Sequence, residues 1–218
     1  MTSKSKLVEG GIFTTNNCGE ILITKYTSSI NVEVKFINTG SVLKTQAASI
    51  RKGNVKDNMH PTANNIGFLG LGEFPATIQR RNTKHYETWR AMFRRCYSIN
   101  LQKKQPTYKG CTVCDEWRNF QVFAKWFDDR MFDGCQLDKD IKIKGNKIYS
   151  PSTCSVVTKA ENTLAAHEKE WRIKTPKGVT VTVVGLTEFC KDNALTQSSM
   201  SLVLNGKREH HKGFSLSV

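Results

Sequence analysis

Two aromatic stripes at helical spacing constrain this chain more than any other feature. Tyr86, Trp89, Met92, Phe93, Cys96 and Tyr97 recur at intervals of three, three, one, three and one. Trp117, Phe120, Phe123, Trp126 and Phe127 repeat the pattern downstream. Residues three and four apart share one side of an α-helix, so each run predicts an amphipathic helix with one apolar face. Rings this large are expected in a core rather than as stacking platforms for bases. Arg90, Arg94 and Arg95 stand off the first stripe, and Arg80, Arg81 and Lys84 precede it. Those six are the first candidates for phosphate contacts.

Upstream of the stripes the apolar period shortens to two. Residues 21–26 and 31–36 read as strands, Asn38-Thr39-Gly40 as a turn, 41–45 as a third short strand and 47–52 as a turn or more of helix. The glycine-rich stretch from Asn65 to Gly72 is a linker or a packing loop. No Gly-Lys-Ser/Thr follows it, which excludes a phosphate-binding loop. Downstream, residues 171–174 and 179–183 flank Thr175-Pro176-Lys177-Gly178 as a hairpin. A helix is predicted over 186–191, then a break at Asp192-Asn193-Ala194, then a second helix capped by Thr196, running to Leu204 and ended by Gly206. Two short helices so close together predict a helix-turn-helix. The expected fold class is therefore α+β and modular. Residues 1–76 form a small antiparallel β-sheet module, 77–169 a central helical module, and 170–218 a β-hairpin plus helix-turn-helix.

Lys and Arg total 33 against 19 Asp and Glu, a net charge of +14 with a pI near 9.6. Such a balance implies a polyanion, and double-stranded DNA is the expected partner. A membrane partner is not expected, because no basic helix with a broad apolar face and no long apolar run is present. Residues 1–11 are polar, unlike a signal peptide, which predicts a cytoplasmic protein. The seven cysteines are then expected to be reduced thiols. Cys111 and Cys114 form a C-x-x-C pair with no second pair to complete four zinc ligands. Zinc is not expected unless Cys96, Cys135 or Cys154 joins them in space; otherwise these are small buried thiols.

In a helix-turn-helix the N-terminal end of the second helix enters the major groove. That end carries Gln197, Ser198, Ser199 and Ser201, while Met200, Val203 and Leu204 suit the buried side. Glutamine can bridge adenine, and serine can bond several base edges. Lys207, Arg208, His210, His211 and Lys212 follow, suited to gripping phosphates.

Family resemblances arise at this point. The segments 173–178, Leu186-Thr187-Glu188-Phe189-Cys190, Leu195-Thr196, 203–208 and His210-His211-Lys212-Gly213-Phe214 resemble the C-terminal repeat of phage intron-encoded HNH endonucleases. In that family the repeat is a DNA-binding helix-turn-helix. The middle of the chain is similar to phage and bacterial HNH-like proteins. The matching pieces are Trp89-x-x-Met92-x-x-x-Cys96-Tyr97, Val113-Cys114-x-x-Trp117-x-x-Phe120-x-x-Phe123, Leu137-Asp138-Lys139-Asp140, Gly145-Asn146-x-x-Tyr149-Ser150-Pro151-x-x-Cys154 and 157–162. This second resemblance makes 138–162 the hairpin and helix of a ββα-metal finger. It implies that Asp138 and Asn162 hold magnesium or manganese, and that the catalytic pair is Asp138 with the next residue, a general-base histidine in the family. The N-terminal sheet loosely resembles that of ethylene-response-type DNA-binding domains, with Lys35, Lys44, Arg51 and Lys52 available for contacts.

Here the general-base position is Lys139. A solvated lysine is protonated and cannot accept a proton. Burial would work against its charge, while Asp138 and DNA phosphates would favour it. A phosphate contact is the other use for it. None of the five histidines is an obvious substitute: His60 and His85 lie in other elements, and His167 falls beyond Asn162. Two functions stay open: a magnesium-dependent, site-directed DNA nickase or endonuclease, or a non-catalytic DNA-binding regulator or architectural protein. Neither needs a small-molecule cofactor. One copy acting as a monomer on DNA is expected, in the bacterial host cytoplasm if the chain is phage-encoded.

Overall fold

The period-two pattern near the N-terminus folds as a sheet because alternate residues face one side. The structure is a computed structural model describing residues 6–167 and 170–217. Strands β1 (Ile12–Thr14), β2 (Glu20–Ser28), β3 (Asn31–Phe36) and β4 (Val42–Thr45) pair in that order, all antiparallel. Ile21, Ile23, Val32, Val34 and Phe36 turn inward and meet Ala47 and Ile50 of helix α1 (Ala47–Arg51). Lys35 and Lys44 stay exposed. Strand β1 is too short to show a period, and sequence reading passes over it.

The glycine-rich stretch is the packing loop rather than the linker. The Phe68 amide donates to the Arg118 carbonyl at 2.9 Å, and the Phe120 amide to the Phe68 carbonyl at 2.9 Å. A Cβ on Gly67 would lie 2.7 Å from both Trp89 Cζ2 and Phe93 Cζ, so only glycine fits there without displacing the rings.

A tight hairpin, β5 (Thr77–Ile78) and β6 (Arg81–Asn82), leads into α2 (Lys84–Tyr97). The Thr83 hydroxyl caps α2 by accepting from the Tyr86 amide. Helix α3 (Ile99–Lys104), strand β7 (Thr112–Val113) and α4 (Phe120–Asp128) follow. Trp89, Met92, Phe93 and Cys96 of α2 are buried, as are Phe120, Phe123, Ala124 and Phe127 of α4. The second stripe differs from expectation at its start. Trp117 sits in a 3-10 turn, because Asn119 caps α4 by accepting from the Gln121 amide and so fixes where that helix begins. The Trp117 carbonyl, left outside a continuous helix, accepts from Trp89 Nε1 at 2.7 Å.

Strands β8 (Gln136–Asp138) and β10 (Ser155–Val157) pair, while β9 (Ile148–Tyr149) runs parallel to β7. Helix α5 (Lys159–His167) comes next. Then come β11 (Glu170–Lys174), β12 (Thr180–Val184), α6 (Leu186–Asp192), α7 (Gln197–Leu204), β13 (His210–His211) and β14 (Phe214–Leu216). The last sheet has the order β12-β11-β14-β13. Its core joins Ile173 and Val183 to Cys190, Leu195, Met200 and Leu204. The fold is mixed α+β, with several small sheets and, among the described residues, seven α-helices. Contacts divide it into two compact units, Met1–Asp133 with Leu137–Val156, and Gly134–Gln136 with Val157–Val218. Among the described residues, no helix is long and apolar enough to cross a membrane.

Candidate nucleic-acid interface

The α6–α7 pair is built by its apolar residues. Leu195, Met200, Val203 and Leu204 are buried, which turns Gln197 and Ser198 to solvent and leaves Ser199 and Ser201 half-buried. The turn between the helices needs a left-handed residue, supplied here by Ala194 at φ +50°. Its carbonyl accepts from Lys212 Nζ at 2.8 Å. Thr196 stands at the cap position of α7, but its hydroxyl accepts no capping bond. The Thr196 amide itself donates to His211 Nε2 at 3.3 Å.

The basic run is not a free tail. His210 and His211 form β13, and the following strand β14 pairs with β11, Ile173 opposite Leu216. Pairing alternates the side chains, so His210 is exposed and His211 is buried. That removes His211 from the phosphate-facing set, leaving Lys207, Arg208, His210 and the tethered Lys212 exposed. Burial, aided by the nearby Arg208 and Lys212 charges, holds the His211 imidazole below its ordinary value. A group whose pKa is depressed on folding contributes stability above its unfolded pKa and loses it as pH falls through the folded one. Stability monitored at the tail is therefore expected to decline as pH drops below about 6.5. His211→Gln should flatten that decline in a pH series of thermal melts. An unchanged pH profile in the variant would remove His211 from this role.

The turn after β8 gives Lys139 its partners. Asp138 Oδ1 accepts from the Asp140 and Ile141 amides, each at 2.7 Å, and sets the turn. Lys139 is 5% exposed, and its Nζ donates to Asp140 Oδ1 at 2.6 Å, Asp140 Oδ2 at 2.7 Å and the Asn146 carbonyl at 2.8 Å. Asn146 returns the favour through its side chain, donating to the Lys139 and Ile148 carbonyls. Sequence reading missed Asp140 and Asn146 as Lys139's partners. Their adjacency to it in the Leu137-Asp138-Lys139-Asp140 and Gly145-Asn146 motifs was the available signal.

Asn162, on α5, donates its amide to Gln136 Oε1 at 2.7 Å. Helix α5 begins with a reciprocal cap. The Thr158 amide and hydroxyl both donate to Glu161 Oε2, and the Glu161 amide donates to the Thr158 hydroxyl. Those bonds, the backbone one first, hold the Glu161 carboxyl below its ordinary range. The side chain of His167 lies outside the described residues.

The basic residues near α2 differ in burial. Arg80, Arg81, Lys84, Arg90 and Arg94 are exposed, whereas Arg95 is half-buried. Arg90 and Arg95 each lay the guanidinium over a ring, Arg90 at 5.7 Å from Tyr86 and Arg95 at 5.8 Å from Tyr108. An open polar cleft runs along α2, lined by Asn64, Asn82, Tyr86, Arg90 and Arg94. Burial pushes the Cys96 thiol up to about 12, and the Cys114 and Cys154 thiols up to about 11. Among the described residues, no three His, Cys, Asp or Glu side chains are grouped as metal ligands.

No model of a known protein family matches the chain. No curated protein matches it either. It is similar to a solved structure described as DNA binding and cleavage by the HNH homing endonuclease I-HmuI. The two are 21% identical over 45% of this chain and 67% of that one, with a TM-score of 0.22.

Proposed function

We propose that this chain binds double-stranded DNA at preferred sites and that its HNH-like finger is a scaffold without a general base. The division into DNA-reading modules over 1–76, 77–169 and 170–218 belongs to the same proposal. The net charge of +14 and the exposed polar start of α7 support the binding. The observation that carries the second half is Lys139. An amine able to take a proton has two N–H donors and a lone pair. The Lys139 nitrogen faces three acceptors within 2.8 Å, two of them carboxylate oxygens, so all its positions are spent on donation.

The family resemblance implies a divalent ion on Asp138 and Asn162. Among the described residues Asp138 Oδ2 and Asn162 Oδ1 accept no hydrogen bond, and hard oxygen donors suit magnesium. The donor chemistry therefore fits, and a bound ion would stabilise charge on the phosphodiester oxygens. The second reading is a magnesium-dependent nickase that would use a carboxylate and an amide oxygen as donors, in which water attacks without a dedicated protein base.

A binding and cleavage series on duplex DNA fragments, with magnesium or with chelator, separates the readings. Affinity is expected to fall steeply, about a thousandfold between 50 and 200 mM salt for a protein making several phosphate contacts. No nicks are expected. A flat salt response would sink the DNA reading. Specific nicks that need magnesium and vanish in Asp138→Ala would establish the nickase instead.

A further inference from the structure

The β5–β6 hairpin has a tip made of the wrong residues for its shape. Gln79 and Arg80 join the strands as a two-residue turn, with φ of +48° and +65°. A turn with both central residues left-handed is normally Asn-Gly or Asp-Gly, because a Cβ is disfavoured there. Long side chains at both positions cost conformational energy, and such outliers cluster at functional sites. The turn is also well anchored. The Thr83 amide donates to the Ala76 carbonyl at 3.0 Å, and its hydroxyl to the Pro75 carbonyl at 3.0 Å, while the same residue caps α2. Every residue from Thr77 to Asn82 is exposed, Ile78 at 58%. Among the described residues, the side chains of Gln79, Arg80 and Arg81 make no hydrogen bond or ion pair.

We propose that this hairpin is a second base-reading element, entering the major groove of duplex DNA with Gln79 and Arg80 at its tip. The inference rests on the DNA-binding reading above. Two paired strands lie about 4.8 Å apart before side chains are added. That ribbon fits a groove about 12 Å wide and not one about 6 Å wide. Its side chains suit the edges displayed there. Arginine donates twice to guanine O6 and N7, glutamine pairs with adenine N6 and N7, and an exposed isoleucine packs on a thymine methyl. Arg81, one step back from the tip, is placed for the flanking phosphate. An acidic protein surface would also attract the guanidinia, but it offers no use for the strained glutamine and the exposed Ile78 together.

The test replaces the tip with the turn its backbone prefers. The double variant Gln79→Asn, Arg80→Gly keeps the hairpin and relieves the strain, so its melting temperature should equal or exceed that of the unaltered full-length chain. Binding selection from randomised duplexes should then lose preference at one or two adjacent base pairs, with affinity for the selected site at least about tenfold weaker. Gln197→Ala should lose preference at a different position. With the unaltered chain, 7-deazaguanine at the selected guanine, which removes only the N7 acceptor in the major groove, should weaken binding similarly. Unchanged affinity and preference in the double variant, with the Gln197→Ala loss still present, would overturn the hairpin proposal alone. Absence of any duplex binding by the unaltered chain would overturn both readings. Weakening by inosine at that position but not by 7-deazaguanine would place the tip in the minor groove and overturn the assignment.

Discussion

Trp89→Ala is expected to lower the unfolding free energy by about 3–5 kcal/mol. The melting temperature should fall by roughly 10 °C for a unit of this size. Trp89 is fully buried on α2, with its ring centroid 4.8 Å from that of Phe93 and 5.6 Å from that of Phe120. The backbone of Gly67 lies against the same indole, and its Nε1 donates to the Trp117 carbonyl. Truncation would therefore open a cavity and orphan a buried carbonyl together. Trp89→Phe keeps most of the ring contact and loses the hydrogen bond, so it should cost about 1–3 kcal/mol. Denaturant titration of the three proteins gives both numbers. A loss below about 1 kcal/mol for the alanine variant would mean that the indole is not the centre of this core.

Lys139→Met is expected to destabilise the protein by about 2 kcal/mol and to leave DNA affinity within about twofold, as a residue without phosphate contact should. The side chain is buried, so removing it leaves the Asn146 carbonyl without its donor and the half-exposed Asp140 carboxylate without its cation. The exposure of Asp140 keeps the cost below that of a fully buried pair. The same burial keeps the ammonium from a DNA phosphate, the alternative use for this lysine. Equilibrium unfolding and a DNA titration on one preparation test both halves. Affinity reduced tenfold or more at unchanged stability would return Lys139 to the DNA interface. Lys139→His removes the same three bonds, so any cutting it gains would come with a loss of stability.

Local pattern placed most of the elements. The alternation in 31–36, the helical spacing from Tyr86 to Tyr97 and the paired short helices of the tail each follow from one period repeated over adjacent residues. The polar start of α7 was legible for the same reason, since burying Met200, Val203 and Leu204 turns Gln197 and Ser198 outward. The family resemblance, set beside the residue type, implied that Lys139 stands where a general-base histidine is expected. What only the tertiary structure decided were matters of pairing between distant residues. Residues 210–211 and 214–216 became strands because β14 pairs with both β13 and β11, and that pairing took His211 out of solvent and set it against Thr196. Arg95, over the Tyr108 ring, became half-buried, while Arg90, over the Tyr86 ring, and Arg94 stayed exposed. Gly67 was fixed as a packing contact by two rings far along the chain. A side chain's type sets the bonds it can make, but the fold sets which partners lie within about 3 Å, and that choice gave Lys139 its three acceptors.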